Sequence, residues 1–143
     1  MVLHWTTIHR ISAILFIAIA LNGKTLKEAA AARGLVVGTA VESRYLTDPS
    51  YAAILAGQYS QVEPENEMKW RIIHPQAAVY SFGAGDAIVS FAALHGMKVR
   101  GHTLTGDTQL PSWVCDLALG PNQLRGILQD HITTVMKHYA GRV

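Results

Sequence analysis

The sequence predicts an α/β fold built on a parallel sheet, and three observations carry that prediction. Short apolar runs of strand length alternate with longer segments of helical periodicity. The helical segments are punctuated by capping residues at their starts and glycines at their ends. The chain has 143 residues, half of them apolar and only 15% charged, which suffices for a buried core and excludes a disordered chain. Strands separated by helices of this length are joined by crossovers, so neighbouring strands run parallel. The length also falls well short of the roughly 250 residues of a closed (β/α)8 barrel.

The first element stands apart. Met1 to Arg10 is a polar and basic lead-in, followed by Ile11 to Leu21, a run without charge. That run is shorter than the about 18 apolar residues of a spanning helix, so no stable membrane span is expected. A basic start, a short apolar stretch and the small-x-small pattern Ala18-Ile19-Ala20 before Asn22-Gly23 predict a secretory signal peptide over residues 1–23, and hence a secreted protein. A buried N-terminal helix is the other reading of the same run.

Residues 24–143 then form one domain. Thr25-Leu26-Lys27-Glu28 is a capping box, in which the Thr hydroxyl and the Glu carboxylate each satisfy a free backbone N–H. It opens an alanine-rich helix to Arg33, closed by Gly34. Leu35 to Val41 has the length and β-branching of a strand, and Asp48-Pro49 caps a helix through about Gln58. Tyr59 to Asn66 is the second expected strand. Asp86 to Leu94 is a helix with Ile88, Phe91, Ala92 and His95 on one face, ended by Gly96. Met97 to Leu104 is the third expected strand. Gly120-Pro121 opens the longest helix, whose stripe runs Leu124, Ile127, Leu128, His131, Ile132, Val135, Met136 and Tyr139 before Gly141.

Ligands of parallel α/β folds sit at the carboxyl ends of the strands. Two such junctions are rich in polar and aromatic residues: Glu63 to Trp70, and Arg100 to Leu104 continuing through Gln109 to Trp113. Carboxylate, amide, ammonium and indole close together suit a polyhydroxylated ligand, because they accept from, donate to and stack on sugar rings. The plainer reading is a solvated loop with a weak Glu65–Lys69 pair at i, i+4. Glu63, Glu65 and Glu67 do not make a catalytic pair, because glycosidase carboxylates flank the scissile bond from two sides. His102 by itself reads as a hydrogen-bonded strand histidine.

Other chemistries are excluded. A net charge of +2 is too small for electrostatic binding of nucleic acid. The single cysteine, Cys115, rules out a disulfide framework and zinc sites built on cysteine pairs. No HxxxH or HExxH spacing exists, so no metal is expected. Ser112 and Cys115 lack a nucleophile motif, and Gly83-Ala84-Gly85 lacks the rest of a phosphate loop. No cofactor is expected.

Five blocks in order give the chain a specific resemblance: Gly38 to Val41 (GTAV), Pro64 to Trp70 (PENEMKW), Gly96 to Leu104 (GMKVRGHTL), Gln109 to Val114 (QLPSWV), and the helix ending HYAGRV. Together they resemble glycoside hydrolase family 10, the endo-β-1,4-xylanases, from about Leu26 to Val143. The resemblance implies the N-terminal part of a TIM (β/α)8 barrel, about three βα units of eight. It implies a retaining hydrolase of xylan that uses two glutamates, and it implies roles for matching positions here. Glu65, Asn66 and Lys69 match residues that hold xylose units in the glycone subsites. His102 matches the histidine at the subsite of cleavage, and Gln109 a glutamine of the same wall.

Two departures accompany the resemblance. After His102-Thr103-Leu104 the family places Trp and His where this chain has Gly106 and Asp107. Both catalytic glutamates belong to later strands, so none is expected among these residues. The chain is therefore expected to hold a wall for xylan or xylo-oligosaccharide without catalysing its hydrolysis, and to self-associate through unpaired barrel edges. The alternatives are a truncated, non-catalytic carbohydrate-binding fragment and an unrelated small α/β binding domain.

Overall fold

A computed structural model describes residues 23–116 and 118–143; the expected signal peptide, apart from Gly23, lies outside the described residues. Five α-helices and three strands follow one another: α1 (Leu26–Ala31), β1 (Gly38–Val41), α2 (Pro49–Gln58), β2 (Gln61–Pro64), α3 (Trp70–Ile73), α4 (Gly83–Leu94), β3 (Lys98–Val99) and α5 (Pro121–Tyr139). Two single 3-10 turns, Ser43–Tyr45 and Ser112–Cys115, fall in the connections. No described helix is long and apolar enough to cross a membrane.

The caps form as their chemistry requires. Thr25 and Glu28 make the reciprocal capping box of α1. Asp48 accepts from the backbone N–H groups of Ser50 and Tyr51, and Pro49 takes the first helical position of α2. Gly34, Gly96 and Gly141 all adopt positive φ just past a helix end, at 69°, 63° and 74°.

The sheet has the order β1-β2-β3 and is parallel throughout. Gly38 lies opposite Gln61 and Val41 opposite Pro64; Gln61 and Val62 lie opposite Lys98 and Val99. A Cβ on Gly38 would come within 3.1 Å of the Gln61 backbone oxygen, so glycine lets β1 and β2 close at their start.

Two apolar clusters hold the helices to this sheet. Val41, Leu55, Val62, Ile88, Ala92 and Met97 join β1 and β2 to α2 and α4. Met68, Ile73, Val89, Val135 and Tyr139 join α3, α4 and α5. Each fully buried aliphatic side chain, such as Val62 or Ile88, contributes roughly 2 kcal/mol of transfer free energy.

The order of strands and helices agrees with the sequence, but several extents do not. Leu35 and Val36 are exposed and precede the strand, because β1 pairs with β2 only from Gly38 onward. The second strand is Gln61–Pro64 rather than Tyr59 to Asn66. The third shrinks to Lys98–Val99, the two residues with partners on β2, and the stretch expected to continue it to Leu104 is irregular. The helix expected from Asp86 begins at Gly83, and His95, expected on its buried face, is exposed. The long apolar stripe of α5 narrows to His131, Val135 and Tyr139, with Met136 largely exposed. Helix α3, only four residues long, has no counterpart in the sequence reading.

Candidate functional site

The site is built where β2 and β3 end. From the end of β2 the chain turns back to α3, and this turn is fixed by backbone groups. The Glu65 N–H donates to the Val41 carbonyl at 2.8 Å, tying the turn to the end of β1. Glu67, buried among polar partners, accepts from the Ser43 N–H through Oε1 and from the Asn66 N–H through Oε2 at 3.1 Å. Burial pushes the Glu67 carboxyl up. The backbone donors of Ser43, Asn66 and Glu67 itself outweigh this and hold it below the usual carboxylate range. Glu67 is therefore an ionised brace inside the turn.

With that brace in place, Lys69 Nζ donates to Asn66 Oδ1 at 3.0 Å. This contact replaces the Glu65–Lys69 pair that the loop reading suggested. It also orients the Asn66 amide: Oδ1 is occupied, so its NH2 group remains as a donor. Lys69 retains two further N–H donors.

The opposing wall comes from residues 102–109. His102 follows β3, and its peptide bond to Thr103 is cis. Its Nδ1 lies 3.6 Å from Glu63 Oε1, while Glu63 Oε2 pairs with Arg100. Glu63 on β2 thus places its carboxylate on the Nδ1 side of the imidazole, beyond hydrogen-bond distance, and His102 lines the cleft. Gln109 adopts φ 66° and is fixed twice by α3: the Arg71 N–H donates to its carbonyl at 3.0 Å, and Arg71 Nη2 donates to its Oε1 at 2.8 Å. Its side-chain NH2 group is left to donate.

Lys69, His102 and Gln109 meet in one cleft of about 270 Å³, together with Trp70, Thr103, Gly106 and Asp107. Glu65 and Asn66 do not line it. Glu65 is exposed at the end of β2, and Asn66 borders a neighbouring depression with Glu42, Ser43 and Arg44, reaching the cleft only through Lys69. At Gly106 a Cβ would meet nothing closer than 3.5 Å, so the cleft lacks an apolar floor there. A larger groove of about 400 Å³ shares His102 and Thr103, but its other walls, including Met68, Leu104, Val135 and Tyr139, are mainly apolar.

The three glutamates of the first junction have separate fates. Glu63 braces Arg100 and His102, Glu65 faces solvent, and Glu67 is spent on backbone donors. Glu63, Glu67 and Arg71 are positioning residues that the sequence did not reveal. Only the alternation Glu63, Glu65, Glu67 hinted at the first two, and nothing local marks Arg71. Among the described residues no cluster of three or more His, Cys, Asp or Glu could hold a metal.

Comparison with known proteins places this geometry in a lineage. The family model described as glycosyl hydrolase family 10 matches residues 25–143. The chain is 42% identical over 117 residues to endo-1,4-beta-xylanase C of Phanerodontia chrysosporium, covering 80% of this chain and 29% of that protein. It is 43% identical over 107 residues to a beta-1,4-xylanase of Dictyoglomus thermophilum, covering 75% of this chain and again 29% of the relative. The chain thus spans about three tenths of the length of these curated relatives. Among solved structures, xylanase 10B from Thermotoga petrophila RKU-1 in complex with xylobiose superposes with a TM-score of 0.81 at 32% identity, over 86% of this chain and 38% of that one. Native xylanase 10B from Thermotoga maritima gives 0.79 at 35% identity, over 84% and 38%. The three parallel strands and their helices have the fold of part of a (β/α)8 barrel.

Proposed function

The chain belongs to glycosyl hydrolase family 10, and from that premise we propose that its cleft is the glycone-side wall of a site for β-1,4-xylan or xylo-oligosaccharide. The observation that carries this reading is the convergence of Lys69, from one strand end, and His102 and Gln109, from another, on a single cleft. Lys69 and Gln109 arrive with donor capacity unspent, and a xylose unit presents hydroxyl oxygens that accept such donors and hydroxyl protons that an imidazole nitrogen of His102 can accept. Asn66 holds Lys69 in place and offers its own NH2 group, and Glu65 accepts a hydroxyl proton at the outer end of the wall. Trp70 also lines the cleft. A relative of the same fold has been seen with xylobiose.

The activity served is endo-1,4-β-xylanase hydrolysis with retention. In that reaction one glutamate protonates the leaving oxygen and a second forms the glycosyl intermediate, their carboxyl groups standing about 5 Å apart. Neither role falls to a glutamate of these 143 residues: Glu28 caps α1, Glu42 pairs with Arg44, Glu63 and Glu67 are committed to bracing, and Glu65 stands alone. The chain by itself is a non-catalytic carbohydrate-binding unit, exported by the apolar leader at residues 1–23. Its β3 edge, paired only with β2 among the described residues, favours self-association.

Calorimetric titration of the full chain with xylohexaose tests this reading, alongside a reducing-sugar assay on xylan. Binding that is lost in Asn66→Ala, with no sugar released by either protein, is the expected result. No binding by the folded wild type would overturn the substrate assignment, and hydrolysis by the pure chain would overturn its non-catalytic role.

A further inference from the structure

Behind the cleft lies a cluster that sugar binding does not use. His74, at the end of α3, and His131, in the middle of α5, are both fully buried. Their rings lie nearly parallel, within 9°, and their Nδ1 atoms are 3.2 Å apart. His131 Nε2 lies 3.0 Å from the Leu104 carbonyl, and His74 Nε2 lies 3.3 Å from the Ala77 carbonyl. The contacts therefore run in one line, from Leu104 O through both imidazoles to Ala77 O.

Counting protons along that line has one consistent solution. Both ends are carbonyl oxygens, which only accept, so each Nε2 must carry a hydrogen. The central Nδ1 to Nδ1 contact needs one donor and one acceptor, hence one more hydrogen. Three protons on two imidazoles is one more than two neutral rings carry. With only two, one contact sets lone pair against lone pair. With four, two N–H groups collide at the centre.

We propose that His74 and His131 form a buried imidazole pair that shares one extra proton and, through Leu104 and Trp70, positions the wall of the cleft. The surroundings suit a delocalised cation. His131 stacks on Trp70 with centroids 4.1 Å apart, and His74 stacks on Tyr80 at 3.9 Å, so each ring lies against an aromatic face. Two titratable groups face the pair, Asp130 from α5 and Tyr80 from the stretch before α4. The Tyr80 hydroxyl donates to Asp130 Oδ2 at 3.0 Å, which keeps a negative charge nearby. Trp113, from the 3-10 turn, packs on His74 and donates from Nε1 to the His74 carbonyl at 3.3 Å without titrating. Arg71, also on α3, is turned to Gln109. Burial first, and then the charge on His74, hold His131 down to about 4, against the support of the Leu104 carbonyl and Asp130. The pair therefore resists a second proton.

Its link to the cleft is direct. Leu104 closes the segment that begins with His102 and Thr103, and the ring under His131 is Trp70, which lines the cleft. His131 fixes the first by a hydrogen bond and the second by stacking. His74 keeps His131 in the tautomer that donates to Leu104.

Long-range nitrogen–proton NMR of the imidazoles in the unmodified chain, from pH 5 to pH 9, tests the proton count. The expected result is three ring protons on the pair at pH 5, with His131 in the Nε2–H form throughout and a single proton lost from the pair as pH rises. Two neutral rings at every pH, or both rings protonating within that range, would overturn the pair. Amide exchange in His131→Phe tests the positioning role, since Phe keeps the stacking on Trp70 and loses the bond to Leu104. Exchange at Thr103 to Thr105 at least ten times faster, with α1 unchanged, is expected; unchanged exchange there would overturn it. Neither experiment uses a sugar, so their failure is distinct from failure of the ligand assignment.

Discussion

The cleft wall and the seam behind it both use histidine, yet they spend their polar groups differently. In the wall, Asn66, Lys69, His102 and Gln109 each have one atom held by a neighbour and at least one left unspent. In the seam, both ring nitrogens of His74 and both of His131 face a partner, and the rings are closed off by Trp70 and Tyr80. What separates a recognition surface from a scaffold here is residual hydrogen-bonding capacity at an accessible atom. Burying a polar group with no partner is costly, so the two histidines of the seam are paired even though the Trp70 Nε1–H beside them is not, whereas a wall can leave its partners to the ligand.

This contrast can be broken most severely from the seam side. Ile73 is fully buried on α3 between wall and seam, and Ile73→Ala should remove about 3 kcal/mol of stability by urea titration. Loss under 1 kcal/mol would show that the seam does not hold the fold. The pH response comes next. The unfolded chain protonates His131 near 6.5, and the folded chain does so only near 4, so the unfolded state binds more protons between these values. Stability should rise with pH across that window by about 3 kcal/mol and level off above it. A urea midpoint that is flat from pH 4 to 6.5 would contradict the burial of neutral His131 Nδ1.

Smaller effects sharpen the same distinction. The Tyr139 hydroxyl is buried with no hydrogen-bond partner, and burial pushes its ionisation up to about 12. Tyr139→Phe should therefore stabilise the chain by about 1 kcal/mol, read as a higher urea midpoint. In the wall, Gly106→Trp would supply an aromatic floor at a position where a Cβ makes only ordinary contacts, from 3.5 Å, and should tighten xylohexaose binding about five-fold while leaving stability nearly unchanged.

Much of the scaffold was legible in the sequence because its signals are local. The capping box at Thr25 and Glu28, the Asp48-Pro49 start and the glycines at 34, 96 and 141 act within a few residues of themselves. Strand lengths were not legible, since the third strand extends only as far as β2 offers partners, whatever the β-branching around it. The wall was half legible: residue types marked the two strand-end junctions, and the family resemblance singled out Lys69, His102 and Gln109 within them. The braces that aim them were not, because Arg71 meets Gln109, and Glu63 meets His102, only after the chain has folded back. Glu65 and Asn66 show the opposite limit, since their neighbours in sequence reach the cleft and they themselves stand beside it.

The central claim is that the wall meets the sugar and the seam does not. Titrating xylotriose into the labelled chain and following side-chain NMR signals tests it in one measurement. The account predicts shifts at the Asn66 and Gln109 amides, the Lys69 ammonium and the His102 ring, with the His74 and His131 rings unmoved. Shifts confined to the His74 and His131 rings, or no shift at the four wall residues at saturating sugar, would contradict it.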